Sequence, residues 1–129
     1  MAVFKNICIV DDDDLFLILT NSIMEDEDFA EEIHDFEDGR KALDYLKSVD
    51  DNNLPEVLLL DINMPMMDGW EFMEGLKELG IEDKMLIYIT SSSINPLDLE
   101  KVESNPYIKA LLSKPLDPEK LEKIASDRL

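Results

Sequence analysis

Short apolar runs separated by amphipathic segments recur along this chain, and that alternation constrains its fold more than any other feature. Runs such as Ile7-Cys8-Ile9-Val10 and Val57-Leu58-Leu59-Leu60 are apolar without a two-residue alternation. A strand of that kind is buried on both faces, which is the mark of a parallel sheet covered by helices. The runs predict strands over Lys5 to Val10, Glu31 to Phe36, Glu56 to Asp61, Met85 to Thr90 and Ile108 to Leu112, the second being the weakest. Between them, helical spacing predicts helices from Asp14 to Met24, from Asp38-Gly39 through the stripe Ala42, Leu43, Tyr45 and Leu46, and from Trp70 to Leu79. Gly80 stops the third of these, Pro96 suits the first turn of a short fourth, and Pro118 opens a fifth running to about Asp127. Five strand–helix units in series give an α/β chain, with polar Val49 to Pro55 as a connection.

Composition limits what such a chain does. A length of 129 residues, 45% of them hydrophobic, fits one compact domain with a real core. A formal charge of −19 repels phosphate backbones and anionic membranes, so nucleic-acid partners are not expected, while cations and basic protein faces are suited to it. The stretch Glu25 to Asp38 carries nine acids and no Lys or Arg, and is expected to be a solvated loop and strand edge. No stretch is long and apolar enough to span a bilayer, and Met1 to Val10 lacks the shape of a signal peptide. The single cysteine, Cys8, lies in an apolar run and reads as a buried strand residue. A cytoplasmic location without membrane insertion is expected.

In open parallel α/β sheets, ligands gather beyond the carboxyl ends of the strands, near the point where strand order reverses. The residues ending the predicted strands are therefore the candidates for chemistry. They are Asp11 to Asp14 after the first, Asp61 after the third, Thr90-Ser91 after the fourth and Ser113-Lys114-Pro115 after the fifth. Carboxylates, a hydroxyl and an ammonium group converging there suit phosphoryl transfer to a carboxylate. Asp61 can act as nucleophile and form an acyl phosphate. Asp11 and Asp12 can hold a magnesium ion that neutralises the meeting of two anions. Thr90 can donate its hydroxyl to a phosphoryl oxygen, and Lys114 can pair with another as a point charge. Asp13 and Asp14 read instead as solvated residues, one of them capping the first helix.

The stretches Ile7-Cys8-Ile9-Val10-Asp11-Asp12, Leu58-Leu59-Leu60-Asp61 running on through Ile62-Asn63-Met64-Pro65-Met66-Met67-Asp68-Gly69, Ile89-Thr90-Ser91 and Ser113-Lys114-Pro115 resemble, in order and spacing, the landmarks of response-regulator receiver domains. The resemblance covers essentially the whole chain. It implies a flavodoxin-like (βα)5 doubly wound sandwich, its five-stranded parallel sheet in the order 2-1-3-4-5. It implies Asp61 as phosphoacceptor, Asp11, Asp12 and Asp61 as ligands of Mg2+, and the backbone carbonyl of Asn63 as a further ligand. Thr90 and Lys114 correspond to the family's hydroxyl and lysine, and the Lys114-Pro115 bond to one that is usually cis and turns the lysine inward. Residues 1–129 are then expected to form a single receiver domain with no output domain. Its partners would be a sensor histidine kinase or histidine phosphotransfer protein, and an unknown downstream protein target. It would catalyse only its own phosphorylation and dephosphorylation.

Two other readings compete. Phosphatases of the haloacid-dehalogenase type also use an Asp nucleophile, magnesium, a hydroxyl and a lysine, but place a second acid two residues beyond the nucleophile, where this chain has Asn63. A receiver-like scaffold that no longer accepts phosphate is the third reading, and the complete set of candidate residues argues against it. His34 sits in a predicted strand and reads as a structural or exposed imidazole rather than a phosphohistidine, and Met64, Met66, Met67 and Met73 as flexible packing. One departure from the family stands out: Leu111 occupies the position, three before the lysine, where a switching aromatic is often found. Tyr88, on the same strand face as Thr90 by the two-residue period, is the expected surrogate, ahead of Tyr107. Output is expected through the fourth helix, fifth strand and fifth helix.

Overall fold

The computed structural model describes residues 2–128. Its elements, in chain order, are β1 (Phe4–Val10), α1 (Asp14–Asp26), β2 (Ala30–Phe36), α2 (Gly39–Ser48), β3 (Val57–Asp61), α3 (Gly69–Leu79), β4 (Leu86–Ser91), α4 (Pro96–Ser104), β5 (Ile108–Ser113) and α5 (Pro118–Ser126). The strands form one sheet in the order β2-β1-β3-β4-β5, and all four pairings are parallel. This is the flavodoxin-like order, with its reversal between β1 and β3.

The apolar runs explain the layering. Every residue of β3 is buried, because helices cover both of its faces. On one side of the sheet Cys8, Val10, Leu58, Leu60, Ile87 and Ile89 pack against α2, α3 and α4 through residues such as Ala42, Phe72, Leu76 and Val102. On the other, Ile7, Ile9, Val57, Leu59 and Tyr88 meet α1 and α5 through Phe16, Leu17, Leu121 and Ile124. Burying each of these larger side chains contributes about 1.5–3 kcal/mol, and that surplus holds the helices on the sheet.

Much of the acidity has a local task. Asp13, Asp38, Asp68 and Asp117, with Asn95, are the N-cap residues of the five α-helices, each accepting from backbone N–H groups of the first turn. Such caps contribute about 1 kcal/mol apiece. Asp68 and Glu71 complete a reciprocal capping box at α3, and Gly80 ends that helix in the left-handed conformation, φ 72°.

Two local expectations need correction. The helix α1 continues through Glu25 and Asp26, so the acidic run begins on a helix and then follows the edge strand β2. No proline or glycine stands there to stop the helix, and polarity alone does not. The expected polar connection after α2 is present and includes a 3-10 turn, Asp51–Asn53. Of the methionines, Met64 and Met73 are buried, but Met66 is 97% exposed at φ 68° and packs against nothing.

Candidate functional site

Parallel pairing brings the strand ends to one rim. Val10 of β1 lies beside Leu60 of β3, which places Asp11 next to Asp61, and Asp61 is itself paired with Thr90 on β4. Ser91 of β4 is paired with Ser113 of β5, and the Lys114 N–H donates to Ser91 O at 2.8 Å. One carboxylate oxygen from each of Asp11, Asp12 and Asp61 lies within 4.8 Å of the others. Asp11 and Asp61 are buried, whereas Asp12 is exposed at the mouth.

Lys114 completes the cluster. Its Nζ lies 2.7 Å from Asp11 Oδ2 and 3.5 Å from Asp61 Oδ1, and 4.6 Å from the centre of the Phe16 ring. The Lys114-Pro115 peptide bond is cis. The loop that carries it is held by Lys120 of α5, whose ammonium donates to Ser113 O at 2.8 Å and Pro115 O at 2.9 Å. Neither Phe16 nor Lys120 is legible as part of the site from sequence, because each reaches it from a helix whose pattern shows only ordinary amphipathicity.

The electrostatics follow from burial. Removal from water, and then the neighbouring Asp11 charge, push the Asp61 carboxyl up to about 6, against the opposing pull of Lys114 and of the Asn63 N–H. Burial likewise raises Asp11, although Lys114 and the Asp13 N–H at 2.9 Å favour its charged form. Three carboxylates facing one ammonium leave two negative charges uncompensated. A small oxygen-binding divalent cation fits that donor set, and magnesium characteristically uses one or two carboxylates together with waters. Thr90 is 1% exposed and its Oγ1 has no hydrogen-bond partner. A buried hydroxyl left unpaired at the rim is suited to an incoming acceptor.

The loop after β3 is fitted closely to Asp61. Asn63 is exposed, and its N–H donates to Asp61 Oδ1 at 3.4 Å. The Gly69 N–H donates to Ile62 O at 2.8 Å, and a Cβ on Gly69 would stand 2.8 Å from Asp61 O and 2.9 Å from Ile62 Cα. Both obstacles are backbone, so only glycine lets α3 start so near Asp61.

A family model, the response regulator receiver domain, matches residues 7–126. The chain belongs to the response regulator receiver family. It is 28% identical over 123 residues to a protein named probable methanogenesis regulatory protein FilR2 of Methanothrix harundinacea, covering 94% of this chain and 79% of that one. It is 29% identical over 107 residues to response regulator Rre1 of Synechocystis, covering 78% of this chain and 44% of that protein. A two component response regulator from Cytophaga hutchinsonii superposes with a TM-score of 0.87 at 28% identity, covering 97% of this chain and 96% of that one. Membership places the chain in two-component signalling and implies a phosphodonor such as a histidine kinase. Receiver domains generally bind Mg2+ through an acidic cluster of the kind that Asp11, Asp12 and Asp61 form. Among the described residues no helix is long and apolar enough to cross a membrane.

The expected aromatic surrogate takes a different place. Tyr88 is fully buried on the α1 and α5 side of the sheet, and its hydroxyl donates to Asp127 Oδ2 at 2.5 Å. Leu111 packs on the opposite side, toward α4. The ring is enclosed by the α1 and α5 core and its hydroxyl is committed to Asp127.

Proposed function

We propose that Asp61 accepts a phosphoryl group from a phosphohistidine donor in a magnesium-dependent transfer, and that its free and phosphorylated forms present different surfaces to a partner protein. The observation that carries this reading is the convergence of Asp11, Asp12, Asp61 and Lys114 at one rim, with the Thr90 hydroxyl buried and unpaired beside them. An Asp61 oxygen attacks phosphorus, a P–O bond forms, and the P–N bond of the donor breaks; the departing imidazole keeps the bond's electron pair and takes a proton. Hydrolysis then returns the carboxylate and inorganic phosphate.

Asp11, Asp12 and Asp61, with the Asn63 carbonyl, would hold a magnesium ion, which would supply charge neutralisation at the transferring group. The chain's own groups do the rest. Lys114 moves from its bond with Asp11 to pair with a phosphoryl oxygen, Thr90 donates its hydroxyl to another, and the Asn63 N–H steadies Asp61. The protein is a switch and not a turnover enzyme: it acts only on its own Asp61, in the cytoplasm, between a histidine kinase or histidine phosphotransfer protein and a downstream protein.

The test is incubation with magnesium and phosphoramidate, a small donor that also carries a P–N bond, followed by intact mass. One phosphoryl group per chain, removed by hydroxylamine and absent without magnesium, is the expected result. No mass gain under any magnesium concentration would overturn the reading.

A further inference from the structure

The chain's single tryptophan, Trp70, bridges two helices that both begin near the candidate site. It lies in the first turn of α3, half-buried, and packs on the same side of the sheet as Leu111. Its indole N–H donates to Asp98 Oδ1 of α4 at 3.4 Å, and Lys101 of α4 holds its ammonium 5.3 Å from the ring centre. The helix α4 otherwise packs on β5. Val102 is its one buried residue, while Leu97 and Leu99 are 68% and 40% exposed, with Ile94 just before the helix at 53%.

The two ends of this bridge are anchored to different parts of the rim. On the α3 side, Gly69 is bonded to Ile62 and sits against the Asp61 carbonyl, so the first turn of α3 follows the Asp61 backbone. On the α4 side a short tether runs from Thr90. The Ser91 hydroxyl donates to Ser93 O, the Ser93 N–H returns to Ser91 Oγ at 3.2 Å, and Asn95 caps α4 by accepting from the Asp98 N–H at 2.8 Å. A change in the separation of Asp61 and Thr90 would therefore pull on the Trp70–Asp98 bond from both ends. At 3.4 Å that bond is longer than the usual N–H···O range and is the longest hydrogen bond in this chain of contacts.

We propose that Trp70 is the positioning residue that couples the state of the Asp61 pocket to α4: its bond to Asp98 is made in the free protein and released when a phosphoryl group draws Thr90 toward Asp61. This rests on the proposed phosphorylation of Asp61. It gives the aromatic role to α3, since Leu111 carries no ring and Tyr88 is enclosed in the other core. Release frees α4 with its exposed Leu97 and Leu99 to take a second position.

The experiment follows tryptophan emission, which reports Trp70 alone, together with hydrogen exchange of residues 97–104. Both are read for the whole chain, free, with magnesium, and with magnesium and beryllofluoride, a phosphoryl mimic. Emission is expected to move to the red as the indole loses Asp98 and Lys101. Exchange of the α4 amides is expected to rise about tenfold, the equivalent of one lost hydrogen bond to a charged group. Trp70→Phe keeps a ring but not the N–H, and should raise α4 exchange in the free protein and abolish the further rise with beryllofluoride. Asp98→Ala, at a half-buried position, removes the same bond together with the one from the Asn95 side-chain amide at 2.7 Å, so it is read against Asn95→Ala, and it stands in if Trp70→Phe does not fold. A purely structural tryptophan would raise exchange in all states and leave the beryllofluoride-dependent step intact, which overturns the proposal. So does a wild-type rise in α4 exchange without any change in emission, or no change in either. Mass gain from phosphoramidate is scored separately, so failure of the coupling and failure of Asp61 phosphorylation are told apart.

Discussion

Asp61 stores unfavourable charge in the free protein, and this has a measurable sign. A carboxyl held at about 6 in the fold, against an ordinary 3.8, binds its proton more tightly folded than unfolded. Its contribution to stability is therefore greatest below about pH 4 and is lost as pH rises towards 6. Without divalent cations, Asp61→Asn is expected to be more stable than wild type at pH 7 by on the order of 2 kcal/mol, with the gap closing near pH 4. Urea denaturation in a chelator at both pH values checks this, and an Asn variant less stable at pH 7 would show that the charge is not strained. Magnesium should relieve the same strain. Its titration is expected to raise the wild-type melting temperature, and Asp12→Ala, which removes an exposed carboxylate without disturbing the core, should remove most of that response. An unchanged response in the variant would mean the cation binds elsewhere.

At the scale of elements, what could be read in advance follows from physics acting along the chain. Continuous apolar runs announced β1, β3 and β4, and the acids and hydroxyl ending them announced the rim, because strand direction and burial are local properties. The end of α1 was not legible, since Glu25 and Asp26 carry no stop signal. Contacts between distant segments were equally hidden. Trp70 finds Asp98 28 residues away, and Tyr88 finds Asp127 39 residues away, through packing that no periodicity encodes. The second contact ties α5 to β4, and its hydrogen bond holds the Asp127 carboxyl below the usual range. Tyr88→Phe keeps the buried ring and loses this tie, so it is expected to cost about 1 kcal/mol in chemical denaturation while leaving the phosphoramidate mass gain intact. Loss of labelling in that variant would place Tyr88 in the mechanism after all.

Over the whole molecule, 31 acids against 12 basic residues leave a charge of −19 that opposes compaction. Helix caps and the acidic rim account for some of those carboxylates, and the edge strand β2 carries others that discourage strand pairing between copies. Raising monovalent salt from about 0.01 to about 0.15 M shortens the screening length from about 30 to about 8 Å, and the melting temperature is expected to rise with it. A fall would mean that attractive pairs such as Lys84 with Asp51 outweigh the net repulsion. Switching of the whole molecule depends on one atom pair, the proposed bond between an Asp61 oxygen and phosphorus. Borohydride reduces an acyl phosphate on Asp to homoserine, so the protein can be treated with acetyl phosphate and magnesium, reduced, digested and mapped by peptide mass. The account predicts homoserine at position 61 alone, dependent on magnesium and absent from Asp61→Asn. Homoserine at another aspartate, or an intact Asp61 in a protein that has gained phosphate, would contradict it.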